Sequence, residues 1–257
     1  MLSQNVGLAV FGTNSEANSM SVDEKIELLD CLVASEIDPG RMMPGTGCCA
    51  ITDSVRLTAQ ATKLGCAGVL MLPPFYYKGV TEEGLFRSFA QAIDRAAEPR
   101  LRVYLYHIPQ VSQVGIPLAV IARLVRAYPG VVIGMKDSSG DFENTRAVLR
   151  AISGFEVFVG SEKFLLSNLE EGGAGCITAT ANVNAAAIAR AFRERSEERQ
   201  REIDAVRAAF EEFPLIAALK EAVARRSGDA SWRAVRPPLV ELNAEQRARL
   251  QQGALSA

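Results

Sequence analysis

The chain has 257 residues, 48% of them hydrophobic, and its 28 basic residues nearly balance its 30 acidic residues. This balance argues against a nucleic-acid-binding surface, and no apolar run is long enough to span a membrane. No basic and apolar leader marks a secretory signal, and the five cysteines contain no Cys-x-x-Cys spacing. We therefore expect a reduced, cytoplasmic protein without a disulfide framework or a zinc knuckle.

Short apolar runs alternate with helical segments through the first two thirds of the chain. Seven runs are predicted as strands, at residues 7–11, 41–44, 68–72, 101–106, 131–135, 156–160 and 175–179. Between the first two, Ser21 stands three residues before Glu24, which is the spacing of a helix capping box. Apolar strands that alternate with helices predict a parallel α/β sheet covered on both faces, either doubly wound or closed into a (β/α)8 barrel.

The strand pattern stops near residue 184, and the remaining segments have helical spacing. We therefore predict a (β/α) barrel over residues 1–184 and a C-terminal helical extension, packed on the barrel, over residues 185–257. His107 is the single histidine, and no glycine-rich phosphate loop follows a predicted strand. These absences argue against a His-rich metal site and against a doubly wound nucleotide-binding domain.

Lys136 differs from the other five lysines because it ends the predicted strand at 131–135. Strand alternation places Gly134 on the same face, so we expect open space beneath the amine if this face is the barrel interior. Burial lowers the pKa of a lysine from its usual value of about 10.4, and the neutral amine can attack a ketone carbon. The alternative is a structural lysine that pairs with Asp137 or Glu162.

Two other segments contain groups that could act with this lysine. Tyr106 ends the preceding strand, where its phenol could carry a proton to or from an imine, although a packed core tyrosine is the alternative. Thr13 and Asn14 follow the first strand, where hydroxyls and backbone amides could bind a carboxylate. The alternative for these two residues is an ordinary turn with capping residues.

Together these segments resemble the dihydrodipicolinate synthase / N-acetylneuraminate lyase family of class I aldolases. The resemblance rests on five regions in the same order and at similar spacing: Gly12-Thr13-Asn14-Ser15-Glu16, Pro73-Pro74-Phe75-Tyr76-Tyr77, Tyr106-His107-Ile108-Pro109, Gly134-Met135-Lys136-Asp137-Ser138-Ser139-Gly140-Asp141, and Gly175-Cys176-Ile177-Thr178 with Thr180-Ala181-Asn182. These regions extend over nearly the whole chain, and five of them in order make a specific signal.

The resemblance implies a (β/α)8 barrel with a helical extension and a site at the C-terminal ends of the strands. It also implies that Lys136 forms a Schiff base with pyruvate or a related 2-oxo acid and that Tyr106 moves the proton. Thr13 would hold the carboxylate of this acid, with Asn14 beside it. No cofactor or metal is implied, because the protonated imine is itself the electron sink.

Three more residues are assigned by the same resemblance. Gly160 and Ile177 are implied to flank the imine. Tyr76 matches a family tyrosine that reaches the site of a neighbouring subunit, which implies a homodimer or homotetramer.

The sequence also departs from the family pattern. Where the synthase branch has an arginine that grips the second substrate, this chain has Val111, and Asn14, Ser15 and His107 are further replacements. We therefore expect an altered acceptor pocket. The family also has a strand and a helix before the segment that begins here at residue 7, and we expect the sheet to lack this first unit and to have open edges.

We therefore expect a class I aldolase or lyase that breaks or forms a carbon–carbon bond through a pyruvate imine on Lys136. Two alternatives use the same imine: a 4-hydroxy-tetrahydrodipicolinate synthase and a sugar-acid dehydratase, which is a hydro-lyase. An alternative of another class is an inactive, truncated relative that only binds small acids or assembles. The missing unit favours that alternative, whereas the presence of Lys136, Tyr106 and Thr13 opposes it.

Overall fold

Five parallel strands lie side by side in chain order in the computed structural model, which describes residues 1–253. The strands are β1 (Val69–Met71), β2 (Val103–His107), β3 (Val132–Asp137), β4 (Glu156–Val159) and β5 (Gly175–Cys176). The helices are α1 (Val22–Ala34), α2 (Ile51–Lys63), α3 (Glu82–Ala96), α4 (Pro109–Ser112), α5 (Leu118–Ala127), α6 (Phe142–Ala151), α7 (Leu165–Glu170), α8 (Ala181–Glu194), α9 (Glu197–Glu211), α10 (Leu215–Ser227) and α11 (Ala244–Gly253). None of these helices combines the length and the apolar character needed to cross a membrane.

The predicted strands at 7–11 and 41–44 are extended segments joined by single parallel bridges, not regular strands. Leu8 bridges Met42, and Gly45, the residue after the second segment, bridges Leu70 of β1. The hydrogen bonds between the two segments end with that from Gly45 to the oxygen of Val10, and at Phe11 the backbone takes a left-handed φ of 58°. Pro44 has no N–H to donate to a ladder. The prediction of strands at these two places is therefore corrected to two bridged segments that continue the order of the sheet.

The first extended segment and β5 are the two ends of this series. A cavity of about 410 Å³ lies where they face each other, lined on one side by Gly7 and Ala9 and on the other by Cys176 and Ile177. Within residues 1–253, no backbone hydrogen bond joins Gly7 or Ala9 to Cys176 or Ile177. Backbone hydrogen bonds therefore do not close the sheet on this side. This agrees with the open edges expected from the sequence.

Side-chain alternation along β2 separates the core from the barrel interior. Val103 and Leu105 belong to a large apolar cluster between the strands and the helices. Tyr104 and Tyr106 occupy the intervening positions, as the period of two in a strand requires. All residues of β2 are buried, because one face of the strand packs against helices and the other faces the filled interior of the barrel.

Gly134 allows Tyr104 and the backbone of β4 to pack closely against β3, so the open space expected beneath Lys136 is absent. A Cβ atom at this position would lie 2.6 Å from the ring of Tyr104 and 2.4 Å from the backbone oxygen of Glu156. The phenol of Tyr104 donates a 2.6 Å hydrogen bond to the carboxylate of Glu156. The tyrosine therefore fills the layer of the barrel beneath the amine, and glycine is what allows it to fit.

Helices α8 to α11 cover the predicted C-terminal extension, and they pack into two further apolar clusters that also contain Ala179 and, from α7, Leu165 and Leu169. The proposed boundary at residue 184 falls inside α8, at Asn184, where the backbone departs from helical geometry. Gln200 of α9 fastens the extension to the barrel. Its side chain donates to the backbone oxygen of Glu162 at 2.9 Å and accepts from the backbone N–H of Leu166 at 3.0 Å.

Candidate active site

Three polar groups from distant parts of the chain form a continuous hydrogen-bonded line at the carboxyl ends of the strands. The amine of Lys136 donates to the phenol oxygen of Tyr106 at 3.2 Å. The same phenol lies 3.1 Å from the hydroxyl of Thr13. Lys136 is 5% exposed and Tyr106 is 2% exposed, so both groups are removed from bulk water.

The pairing of β2 with β3 determines this geometry. Tyr106 and Lys136 are direct partners in the parallel register, so their side chains leave neighbouring strands at the same level. Both project into the barrel interior, and the Lys136 nitrogen lies 4.3 Å from the centre of the Tyr106 ring. Thr13 reaches the pair from the turn that follows the first extended segment.

Lys136 is not the ion-paired structural lysine that the sequence left as an alternative. Asp137 is occupied by the backbone N–H of Ser139 and by the side chains of Asn144 and Thr145. Glu162 is bonded to the hydroxyls of Thr178 and Thr180 and lies 3.5 Å from Arg207. Neither carboxylate forms an ion pair with Lys136, whose side chain instead bonds Tyr106.

The 410 Å³ cavity described above reaches Lys136, and its volume is suited to a small organic ligand. Thr13, Asn14 and Ile177 line it, so three of the residues predicted to bind substrate surround the same space as the amine. Asn14 lies in the turn after the first extended segment, and Ile177 lies directly after β5.

Gly160 supports the wall of the site and is not part of its lining. Its backbone N–H donates to the oxygen of Asp137 at 2.6 Å. A Cβ atom at this position would lie 1.9 Å from the hydroxyl oxygen of Ser138. Glycine therefore allows the ends of β3 and β4 to approach closely beside Lys136, and the buried Ser138 hydroxyl has no hydrogen-bond partner among the described residues.

Tyr76 is not brought to Lys136 within the chain. It lies in the loop after β1, and its side chain is 74% exposed with its ring edge-on to that of Tyr77. No hydrogen bond joins it to Lys136, Tyr106 or Thr13 in the part of the chain that the structure describes.

Sequence reasoning missed two residues that line the cavity beside the amine. Phe158 pairs with Lys136 in the register of β3 and β4, and Cys176 pairs with the next residue of β4. Burial, with Glu162 adding to it, raises the pKa of the Cys176 thiol to about 12, so this thiol stays protonated. Strand alternation at 156–160 could have found Phe158, because it shares the interior face with the site.

A buried lysine, a phenol and a hydroxyl linked at the carboxyl ends of parallel strands, beside a cavity, form the arrangement of a class I aldolase or lyase. The sequence profile described as the Dihydrodipicolinate synthetase family matches residues 3–256. An uncharacterized DapA-like lyase from Chloroflexus aurantiacus is 35% identical over 249 residues, which are 95% of this chain and 82% of that protein.

Solved structures agree with the sequence relatives. Dihydrodipicolinate synthase from Agrobacterium tumefaciens superposes with a TM-score of 0.90 at 28% identity, covering 96% of this chain and 85% of that one. YagE from E. coli K12, solved in complex with pyruvate, has a TM-score of 0.86 at 21% identity over 98% of this chain and 87% of its own, and it shows the fold alone. The chain therefore belongs to the dihydrodipicolinate synthetase family, which confirms the expected α/β barrel class and the expected lyase class.

Proposed function

We propose that Lys136 forms a Schiff base with the carbonyl carbon of pyruvate or a related 2-oxo acid, and that this imine is used to break or form a carbon–carbon bond. The observation that supports the proposal most directly is the hydrogen-bonded line from Lys136 through Tyr106 to Thr13. The pyruvate in the structure of the relative YagE supports the choice of acid.

Each group in this line has a role that its chemistry allows. The amine of Lys136 attacks the carbonyl carbon, and the carbonyl oxygen leaves as water once protons have been delivered to it. Tyr106 is within hydrogen-bond reach of the nitrogen and carries these protons. Thr13 and Asn14 hold the carboxylate of the acid, and the protonated imine then accepts the electron pair of the carbon–carbon bond.

The short helix α4, which follows β2, favours an aldolase over a 4-hydroxy-tetrahydrodipicolinate synthase. Val111 occupies the position where the resemblance places the synthase arginine, and its side chain is 57% exposed. An apolar side chain there cannot pair with the carboxylate of a second substrate. A sugar-acid dehydratase would use the same imine, and product analysis with sugar acids separates it from an aldolase.

We also propose that the chain acts as a homo-oligomer in the cytoplasm, without a membrane or nucleic-acid partner. Tyr76, Tyr77 and Val80 on the loop after β1, and Val111 on α4, are exposed apolar side chains. Lys78 joins the loop after β1 to α4 by donating to the backbone oxygens of Phe75 and Ser112. A second copy of the chain would cover this surface. All five cysteines are free thiols, which suits a reducing compartment.

Mass spectrometry after treatment with pyruvate and borohydride tests the imine. We expect a reduced pyruvate adduct on Lys136 that is absent in Lys136→Ala. Lys63→Ala is the matched control, because Lys63 is 67% exposed on α2 and should not affect the adduct. A folded protein that gives no adduct on Lys136 at any pyruvate concentration would contradict the proposed function.

A further inference from the structure

The turn that contains Thr13 is held from outside the barrel by the C-terminal extension. This turn consists of two 3-10 turns, Thr13–Ser15 and Ala17–Ser19, with Glu16 as the junction between them. Glu16 has a left-handed φ of 54°, an uncommon conformation for a residue with a side chain. The junction therefore needs contacts elsewhere that keep it in place.

The carboxylate of Glu16 is occupied at both oxygens by the extension. One oxygen lies 2.6 Å from the amine of Lys220 on α10, and the other accepts a 2.6 Å hydrogen bond from the backbone N–H of Arg236. The Glu16 side chain is 10% exposed, so water screens this pair far less than a surface pair. Charged hydrogen bonds of this length are among the stronger ones in proteins.

Further contacts fix the end of the same turn. The guanidinium of Arg236 donates to the backbone oxygen of Ser19 at 3.2 Å, and the hydroxyl of Ser19 donates to the oxygen of Pro237 at 3.0 Å. We call residues 12–19 the clamped turn, because the extension holds it at its middle and at its end.

The clamped turn is connected to the catalytic line by two short steps. The backbone N–H of Glu16 donates to the oxygen of Thr13 at 3.2 Å. The hydroxyl of Thr13 then lies 3.1 Å from the phenol of Tyr106. A shift of the Glu16 carboxylate would therefore move the hydroxyl that faces the substrate carboxylate.

We propose that Glu16 is a positioning residue through which Lys220 and the segment at 236–237 fix Thr13 for binding of the substrate carboxylate. The inference rests on the proposed function and adds the C-terminal extension to the residues that determine substrate affinity. Errors of about 1 Å in the position of a binding group reduce reaction efficiency by up to about 100-fold. Loss of the Lys220 contact should therefore weaken pyruvate binding while Lys136 and Tyr106 stay in place.

The experiment compares Lys220→Met and Glu16→Gln with Lys163→Met. Lys163 also joins the barrel to the extension, through a 3.3 Å ion pair with Glu211, but it does not touch the clamped turn. Two quantities are measured for each variant. The first is the pyruvate concentration that gives half of the maximal borohydride adduct on Lys136, and the second is the rate of amide hydrogen exchange in residues 12–19.

We expect Lys220→Met and Glu16→Gln to raise the half-saturating concentration on the order of tenfold. Adduct yield at saturation should stay near that of the wild type, and exchange should become faster in residues 12–19. Lys220→Arg, which keeps the cation, should restore both values, and Lys163→Met should change neither.

Unchanged affinity and unchanged exchange in Lys220→Met, or changes no larger than those of Lys163→Met, would overturn the inference. The wild type is measured in parallel, so the two proposals can fail separately. If the wild type forms no adduct, the proposed function fails, and exchange in residues 12–19 alone decides whether the extension positions the turn.

Discussion

Tyr106 contacts both Lys136 and Thr13 through its hydroxyl, which is the only part of the side chain that Tyr106→Phe removes. We expect the rate of pyruvate adduct formation on Lys136 to fall by about 100-fold or more, because a positioned proton-transfer group contributes roughly 10²–10⁴-fold. The ring remains, so the buried packing should be kept. Rapid-quench borohydride trapping measures the rate.

Tyr104→Phe is the matched control for that substitution. Tyr104 lies on the same strand and the same face as Tyr106, but its phenol bonds Glu156 in the layer beneath the amine. The control should leave the trapping rate close to that of the wild type. Equal rates in the two variants would show that Tyr106 does not transfer the proton.

We expect His107 to make the stability of the fold depend on pH near neutrality. Its ring is 7% exposed, and its Nδ1 accepts a 3.0 Å hydrogen bond from the backbone N–H of Ile116. Burial lowers the pKa of His107 below its usual 6.5, although Asp137 partly opposes this shift. The unfolded chain therefore binds more protons than the folded chain as the pH falls through 6.5, so the folded state loses stability there.

We expect the free energy of unfolding to decrease from pH 7.5 to pH 5.5, with a slope of at most about 1.4 kcal/mol per pH unit for one proton. His107 is the single histidine, so His107→Asn should flatten this dependence. Urea titrations at several pH values measure both proteins. A slope of the same size in the variant would assign the dependence to other groups.

At the scale of the strands, Gly134 is required by the contact of β3 with β4 and with Tyr104. We expect Gly134→Ala to lower the free energy of unfolding by about 1–3 kcal/mol, the usual cost of overpacking a dense interior. The added methyl would meet a backbone oxygen at 2.4 Å, and a backbone atom cannot easily move away.

Gly115→Ala is the control for this change, because its added Cβ would lie at an ordinary 3.5 Å from His107. Chemical denaturation should place its stability within about 0.5 kcal/mol of the wild type. A Gly134→Ala protein as stable as the Gly115→Ala protein would contradict the close packing described for β3.

Local sequence signals predicted the elements well where the structure depends on neighbours in the chain. The capping box of Ser21 and Glu24 is present at the start of α1, and five apolar runs became paired strands. The first two runs did not, because the turn of the backbone at Phe11 is not visible in apolar spacing. The prediction of open space beneath Lys136 was wrong. The alternation of side chains along a strand predicts which face Tyr104 occupies, but it does not predict how much of the interior its ring fills.

For the site, the sequence predicted which residues take part but not the contacts between them. Lys136, Tyr106 and Thr13 could be singled out from their places at strand ends and from the family resemblance. Their contacts follow from strand register, which the sequence does not state. The link from Glu16 to Lys220 joins residues 204 positions apart, and no local pattern indicates such a pair.

At the scale of the whole molecule, the exposed side chains of Tyr76 and Tyr77 are 74% and 73% accessible. We expect the wild type to self-associate through this surface and the double variant Tyr76→Asp, Tyr77→Asp to have a lower mass in solution. Two buried carboxylates without partners would cost several kcal/mol in an apolar contact between copies. Light scattering after size-exclusion chromatography measures the mass.

Val240→Asp serves as the control, because Val240 is 77% exposed on the extension and lies outside the loop after β1 and outside α4. Its mass should equal that of the wild type. A wild type that is monomeric at micromolar concentration would reject self-association through the two tyrosines.

The cavity between the first extended segment and β5 links ligand binding to thermal stability. No backbone ladder joins the two sides there within residues 1–253, so a molecule that binds both Thr13 and Lys136 would connect the first extended segment to the sheet. For a ligand that binds only the folded chain, each tenfold increase in concentration above the Kd adds about 1.4 kcal/mol to the free energy of unfolding. The melting temperature should therefore rise with pyruvate concentration, which makes heat resistance a direct measure of occupancy before any product is known.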